Sequence, residues 1–511
     1  MISKKFNLIS YIVLAIFAFV FNFWASNNGV FPIDTFLHYD SAYRILSGSK
    51  PIKDFWIIHG ITVDYIQSIF FYLFGVNWSS YISHSSLFNS ILVVIFYKLL
   101  IRLNIQFVYS ILLSLSFLIL AYPISGVPFV DHHATFFSLI CFLIFYFGLI
   151  NNNYKYFIII PILFGLAFLS KPVPSTYLSL AFAGIFIFYL IFEKKIEPFL
   201  YVIYGTILFL LLFYFFLKIE NIPLQNFLEQ MILYPLSIGA DRTGSIYEAF
   251  KFRALNYKFI YFLLFYSILI LFFKKNYNKF SKPNLYLFSS IILFTLIMII
   301  HQIMTKNQNF IFFLIPLNIC LIFFINNQIK IKNRKKINLF FLIFCIFLTI
   351  KYYDRFIDKR KFHDLQNVNL KNAISAKKIH KTLDPLKWIT INYNNPHEEV
   401  KIIKELITII ESSEQNILLI SNYNFFDSIT KKRVFGFVKN LDNVTIPSEK
   451  NKYRQNFKKF FLSQIKNNKI GEIYLFFPEI KKIDRYKFGF KELLDPLCFD
   501  SFNINSMTAK L

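Results

Sequence analysis

Acids, histidines and lysines are scarce over most of this chain, and they gather in short stretches between long apolar runs. The densest stretch follows the first apolar run and carries Asp34, His38, Asp40, Arg44, Asp54 and His59 among aromatic residues. A carboxylate at a membrane surface can act as general base toward a hydroxyl or amine. Asp34 and Asp40 are therefore candidate catalytic groups, with Asp54 and His59 as candidate substrate contacts. The same residues also suit a solvated loop whose acids pair with Arg44. Asp131-His132-His133 opens a later apolar run, and ionisable groups at such a boundary usually face a cavity. Asp131 is a third candidate, and His132 a hydrogen-bonding group facing substrate. Adjacent histidines ligate one ion poorly and no metal-ligand spacing occurs, so no metal or other cofactor is expected. Lys171, between Ser170 and Pro172, suits a phosphate as a point charge or else reaches toward lipid headgroups. Lys306, within Thr305-Lys306-Asn307-Gln308-Asn309, is a second phosphate candidate, and Arg242 a third. Arg242 lies in the polar stretch 218–255, which fits a mobile lid around Gly239 and Gly244 or a plain connection.

These groups must be positioned by membrane helices. Of 511 residues, 56% are hydrophobic, 20% aromatic and 16% charged, against about 25% charged in soluble domains. Mean hydropathy is +0.50. Too little polar residue is present to cover a soluble surface, and runs such as 198–217 and 308–325 hold no charge at all. The net charge of +26 does not indicate nucleic acid. Lysines of the first 350 residues sit mostly in short loops between apolar runs, where the positive-inside rule places them. Cys141, Cys320 and Cys345 lie in apolar runs and Cys498 is alone in the tail, so no structural disulfide is expected.

The spanning candidates are 6–26, 80–97, 105–122, 133–150, 155–170, 174–192, 198–217, 256–273, 284–304, 308–325 and 337–351. The first follows Lys4 and Lys5, lacks a small-residue cleavage site, and reads as a retained helix. The basic loops 330–336, 274–282, 194–195, Lys155 and Lys98 with Arg102 all fall on one side when placed in the cytoplasm. Lys4 and Lys5 join them only if 61–76, which carries Asp64 and Gln67, lies at the outer interface as an amphipathic helix. The expectation is eleven spans, or twelve if 61–76 crosses, with the N-terminus inside and the C-terminus outside. The candidate site residues then share the outer side.

The expected organisation is a membrane domain over 1–351, with an outer loop 27–79, and a soluble α/β domain over 352–511. In the tail, His397–Ser412 reads as an amphipathic helix opened by Pro396, with Asn416–Ser421 and Glu472–Phe477 as buried strands. The tail contains no phosphate loop and no nucleophile elbow.

The order of these blocks resembles the GT-C superfamily of polytopic glycosyltransferases, closest to the protein mannosyltransferase and aminoarabinose transferase type. The resemblance covers roughly residues 1–350. It is carried by Asp34 past the first span, Leu46-Ser47-Gly48, Pro51-Ile52-Lys53-Asp54-Phe55 and Tyr72-Leu73-Phe74-Gly75. Asp131 opening a span, Ser170-Lys171 ending one, and the hairpin from Thr305 to Pro316 complete it. Two departures stand out: the family's paired Asp-Glu is Asp34-Thr35 here, and its short Lys-Pro step is replaced by Trp56–Gly60.

The resemblance implies a GT-C-like fold and transfer of a sugar from a polyprenyl-phosphate carrier to an acceptor glycan, lipid or protein. It places the reaction at the outer face of a bacterial inner membrane. Asp34 would activate the acceptor, with Asp40 as the competing choice, and Asp131 would line the pocket. Lys171 and Lys306, helped by Arg242, would hold the donor phosphate, on which charge develops as it leaves. The partners implied are the lipid-linked donor and membrane lipid. A transporter or lipid flippase would carry charges along its spans in both leaflets and needs no outer domain. No internal repeat marks a duplicated transporter. An O-antigen polymerase or ligase would centre on a large outer loop late in the chain.

Overall fold

The computed structural model describes residues 4–243, 251, 253–305, 310–442, 444–478, 502–505 and 508–510. Among them, ten helices are long and apolar enough to cross a bilayer, from Leu8–Ala25 to Arg334–His363. They correspond to ten of the eleven expected spans. The remaining one, 155–170, takes the form of the shorter Tyr154–Ser170; the other short apolar helix among the described residues is Ile61–Phe74. The latter has 14 residues, fewer than the roughly 17 that a crossing needs. Cys141, Cys320 and Cys345 are free and buried, while Cys498 lies outside the described residues.

The chain packs as two units. The first comprises residues 1–26, 85–215 and 241–358. Lipid tails are as apolar as leucine, so close packing and polar pairing must join its helices. Asn22 on the first helix donates to Ser85 Oγ (3.0 Å), Ser86 Oγ (3.0 Å) and the Gly126 carbonyl (3.1 Å). Ser26 Oγ donates to the same carbonyl at 2.6 Å. Gly126 has φ +75°, and a Cβ there would meet Ser26 at 3.0 Å, so glycine lets the turn ahead of the helix Val130–Ile150 press against the first helix. Asn89 Nδ2 bridges the carbonyls of Ala18 (3.2 Å) and Leu118 (3.1 Å). These bonds fix the start of the helix that carries Asp131.

The second unit comprises 27–84, 216–240 and 359–511. Its tail contributes a five-stranded sheet, in the order Val434–Phe435, Asn416–Ser421, Ile470–Phe476, Thr508–Lys510 and Phe502–Asn505. Asn416–Ser421 runs parallel to both its neighbours, and the last two pairings are antiparallel. The sheet's apolar core includes Leu418, Ile420, Phe457, Phe461 and Ile473, and also Trp56, Ile58 and Tyr234 from outside the tail. Backbone bonds knit the same join: Trp56 N donates to Phe437 O and Lys439 N to Trp56 O, each at 2.9 Å. The helix Pro396–Ser412 starts where expected because Asn395 caps it, accepting from His397 N at 3.1 Å. Pro396 at its first position and Glu398 and Glu399 in its first turn favour the same start.

For residues 218–255 the sequence leaves a mobile lid and a plain connection both open. The described part is helical through Leu224–Leu228, Glu229–Leu233 and Tyr234–Thr243. Buried Gln230 accepts from Ile57 N (3.1 Å) and donates to Ile52 O (2.9 Å), and Tyr234 OH donates to Val444 O (2.6 Å). Buried side chains thus pin 230–234 to its own unit, which favours a plain connection over that stretch. Gly244 and Glu248 lie outside the described residues.

Candidate active site

In the first unit, three elements bring their ends together. Asp131 stands in the first turn of Val130–Ile150. Lys171 is the extended residue, φ −156° and ψ 120°, between Ile159–Ser170 and Pro172–Glu193. His301 stands in the last turn of Lys282–Met304. Lys171 Nζ lies 2.8 and 2.7 Å from the two oxygens of Asp131, and His301 Nε2 lies 3.8 Å from Oδ1. Asp131 and His301 are both buried. A carboxylate gripped by a lysine in this way aims and restrains a cation that could otherwise meet a phosphate. His132, beside it, is enclosed by the rings of Tyr122 and Phe310, each 4.9 Å away between centroids. His133 Nδ1 meets Tyr122 OH at 2.5 Å. Arg242 lies in the helix Tyr234–Thr243, and Lys306 is outside the described residues.

In the second unit, Asp34 sits in the helical turn Pro32–Thr35. Thr35 is buried with its Oγ1 3.2 Å from His363 Nδ1. Asp40 is buried and paired with Arg44 one helical turn on, at 2.6 Å. Burial pushes the Asp40 carboxyl up, only partly countered by that guanidinium. Asp54 closes a turn by accepting from Lys50 N at 2.7 Å. The His59 carbonyl accepts from Lys439 at 3.2 Å.

That lysine belongs to a buried network that sequence reasoning missed. Asp64 Oδ1 receives Ser41 Oγ at 2.6 Å and lies 2.6 Å from His38 Nδ1. Its other oxygen pairs with Lys439 Nζ at 2.5 Å. His38, Ser41, Asp64 and Lys439 are all buried. Burial pushes the Asp64 carboxyl up, but Lys439 and His38 beside it prevail and hold it below the usual carboxylate range. Burial, then the charge of Lys439, lower His38 to about 4. The imidazole is therefore neutral at pH 7 and its Nδ1–H serves Asp64.

The folded chain binds fewer protons at His38 than the unfolded chain between its ordinary 6.5 and about 4. His38 thus penalises the fold as pH falls through that window, by about 3 kcal/mol at most. Asp427, which burial raises to about 6, tilts stability the other way, so the difference between variant and wild type is the readout. His38→Gln is expected to flatten the loss of unfolding stability between pH 6.5 and 4, measured by denaturant titration across pH. An unchanged slope contradicts the assignment.

Ten apolar helices define a multi-pass membrane protein. The family model for dolichyl-phosphate-mannose-protein mannosyltransferase matches residues 58–217, a stretch that contains Asp64, Asp131 and Lys171. The chain thus resembles the GT-C type in its helical build and over this stretch, and the match supports a membrane glycosyltransferase of that type. No curated protein matches the chain.

Proposed function

We propose that this protein transfers a sugar from a polyprenyl-phosphate-linked donor to an acceptor at the outer face of a bacterial inner membrane. The observation that carries the reading is the Asp131–Lys171–His301 cluster, formed by the ends of apolar helices, with Asp131 and Lys171 inside the family-matched stretch. Asp34 accepts the proton of the acceptor hydroxyl or amine. The acceptor atom bonds to the anomeric carbon while the bond from that carbon to the carrier phosphate breaks. Lys171, with Lys306 and Arg242, takes up the charge left on the phosphate. Asp131 orients Lys171, and His132, Asp54 and His59 serve substrate. The base assignment is tested with Asp34→Asn and Asp40→Asn in donor-consumption assays. Asp34→Asn is expected to abolish turnover with folding intact. Full activity in Asp34→Asn with loss in Asp40→Asn transfers the role to Asp40.

The orientation is part of the proposal: N-terminus inside, residues 352–511 outside as a periplasmic domain, and 61–76 at the outer interface. Single cysteines replacing Val76 and Lys404 are expected to react with an impermeant thiol reagent from outside, and one replacing Lys332 from inside only. Inside labelling at position 76 establishes the crossing of 61–76 instead.

A further inference from the structure

The second unit contains a cavity of about 250 Å³ between the first polar segment and the tail. Its walls carry Arg44, Asp54, Asp427, Arg433 and Asn468, with the ring of Phe55 among its apolar surfaces. We propose that this cavity binds a single unit of a neutral saccharide; the further step, that the saccharide belongs to the acceptor, rests on the glycosyltransferase reading.

The lining offers two guanidinium groups, two carboxylates and the amides of Gln464 and Asn468 in a small space. Vicinal hydroxyls both donate and accept, so a sugar ring uses acids and guanidinium groups together. An anion in this cavity would share it with the carboxylates of Asp54 and Asp427. Arg44 is itself paired with Asp40 at 2.6 Å. The walls are held in advance. Arg44 donates to the Gly436 carbonyl, and a Cβ on Gly436 would collide with its guanidinium. Its Nε is buried and has no hydrogen-bond partner among the described residues. Arg433 reaches Ser49 Oγ at 2.8 Å and lies over the Phe435 ring at 4.8 Å. Asp427 Oδ1 accepts from Val434 N at 2.7 Å. Gln464 donates to Lys53 O at 2.9 Å, which ties the helix bearing one wall to the loop bearing another. Such a fixed set of donors and acceptors is what orients a small polar ligand.

The test titrates the purified full-length protein in detergent with glucose, mannose, galactose and N-acetylglucosamine, and separately with inorganic phosphate, using ligand-observed NMR. At least one sugar is expected to bind, with phosphate failing to displace it. Arg433→Ala and Asn468→Ala each remove a lining group that is not buried in the fold. Arg433→Ala is expected to weaken that sugar by at least about tenfold, the scale of one lost hydrogen bond to a charged group, and Asn468→Ala by about threefold or more, the scale of a neutral one, while the unfolding midpoint stays unchanged. No sugar binding, binding unchanged in both variants, or phosphate binding in place of sugar overturns the proposal. Sugar binding without release of polyprenyl phosphate from a lipid-linked donor leaves the cavity assignment standing and removes the glycosyltransferase reading. Release without sugar binding does the reverse.

Discussion

Lys439→Met is expected to lower the stability of the second unit by about 3–5 kcal/mol, the range for removing one partner of a buried ion pair. The size follows from what is left behind. Asp64 has no solvent exposure and keeps His38 and Ser41 as neighbours, but neither supplies a permanent charge at pH 7. The carboxylate must then stay ionised in a poor environment or take up a proton. The double replacement Lys439→Met with Asp64→Leu removes both charges and is expected to recover most of the loss. Thermal and denaturant unfolding of the purified variants measure both. A single variant as stable as wild type, or a double variant worse than the single, contradicts the account of the network.

Lys171→Ala is expected to lower kcat by about 10²–10³, the scale of removing one preorganised group from a developing anion. Lys171→Arg keeps the charge but not the compact ammonium, and is expected to retain intermediate activity. The control is Asp131→Asn, which weakens the grip on Lys171 without deleting it, and should cost less than Lys171→Ala. Steady-state rates against donor concentration give the split between kcat and KM. Equal unfolding midpoints across the three variants assign any rate difference to the lysine. Unchanged kcat in Lys171→Ala with a lowered midpoint makes the pair a packing device only.

The helices were legible because hydropathy is a local property: each apolar run declares itself without reference to the rest of the chain. The tail helix Pro396–Ser412 was legible for a similar reason, since its cap, proline and first-turn acids are adjacent. The Lys439–Asp64 pair was not, because its partners are 375 residues apart and one lysine in a lysine-rich tail carries no mark of burial. Trp56 and Ile58 looked like loop residues, yet they complete the core of a sheet whose strands lie beyond residue 415. A two-residue strand such as Val434–Phe435 is too short to show alternation. Of the site, Asp131 and Lys171 were named for their places at helix ends, and the structure joins them directly. His301, one turn from the end of its helix, meets Asp131 only in the folded chain, since the two stand on different helices far apart in sequence. Asp40 was open to two readings, a base or a partner of Arg44, and the structure shows the pair, because helical geometry places Arg44 one turn away on the same face.

The central claim is that this chain moves a sugar off a phosphate carrier. The direct measurement incubates purified protein with a polyprenyl-phosphate-linked sugar and acceptor-bearing membrane extract, and follows both products. Equimolar appearance of free polyprenyl phosphate and sugar-modified acceptor, lost in Asp34→Asn, is the predicted result. An intact donor that merely changes leaflet, or no consumption by well-folded wild-type protein, contradicts it.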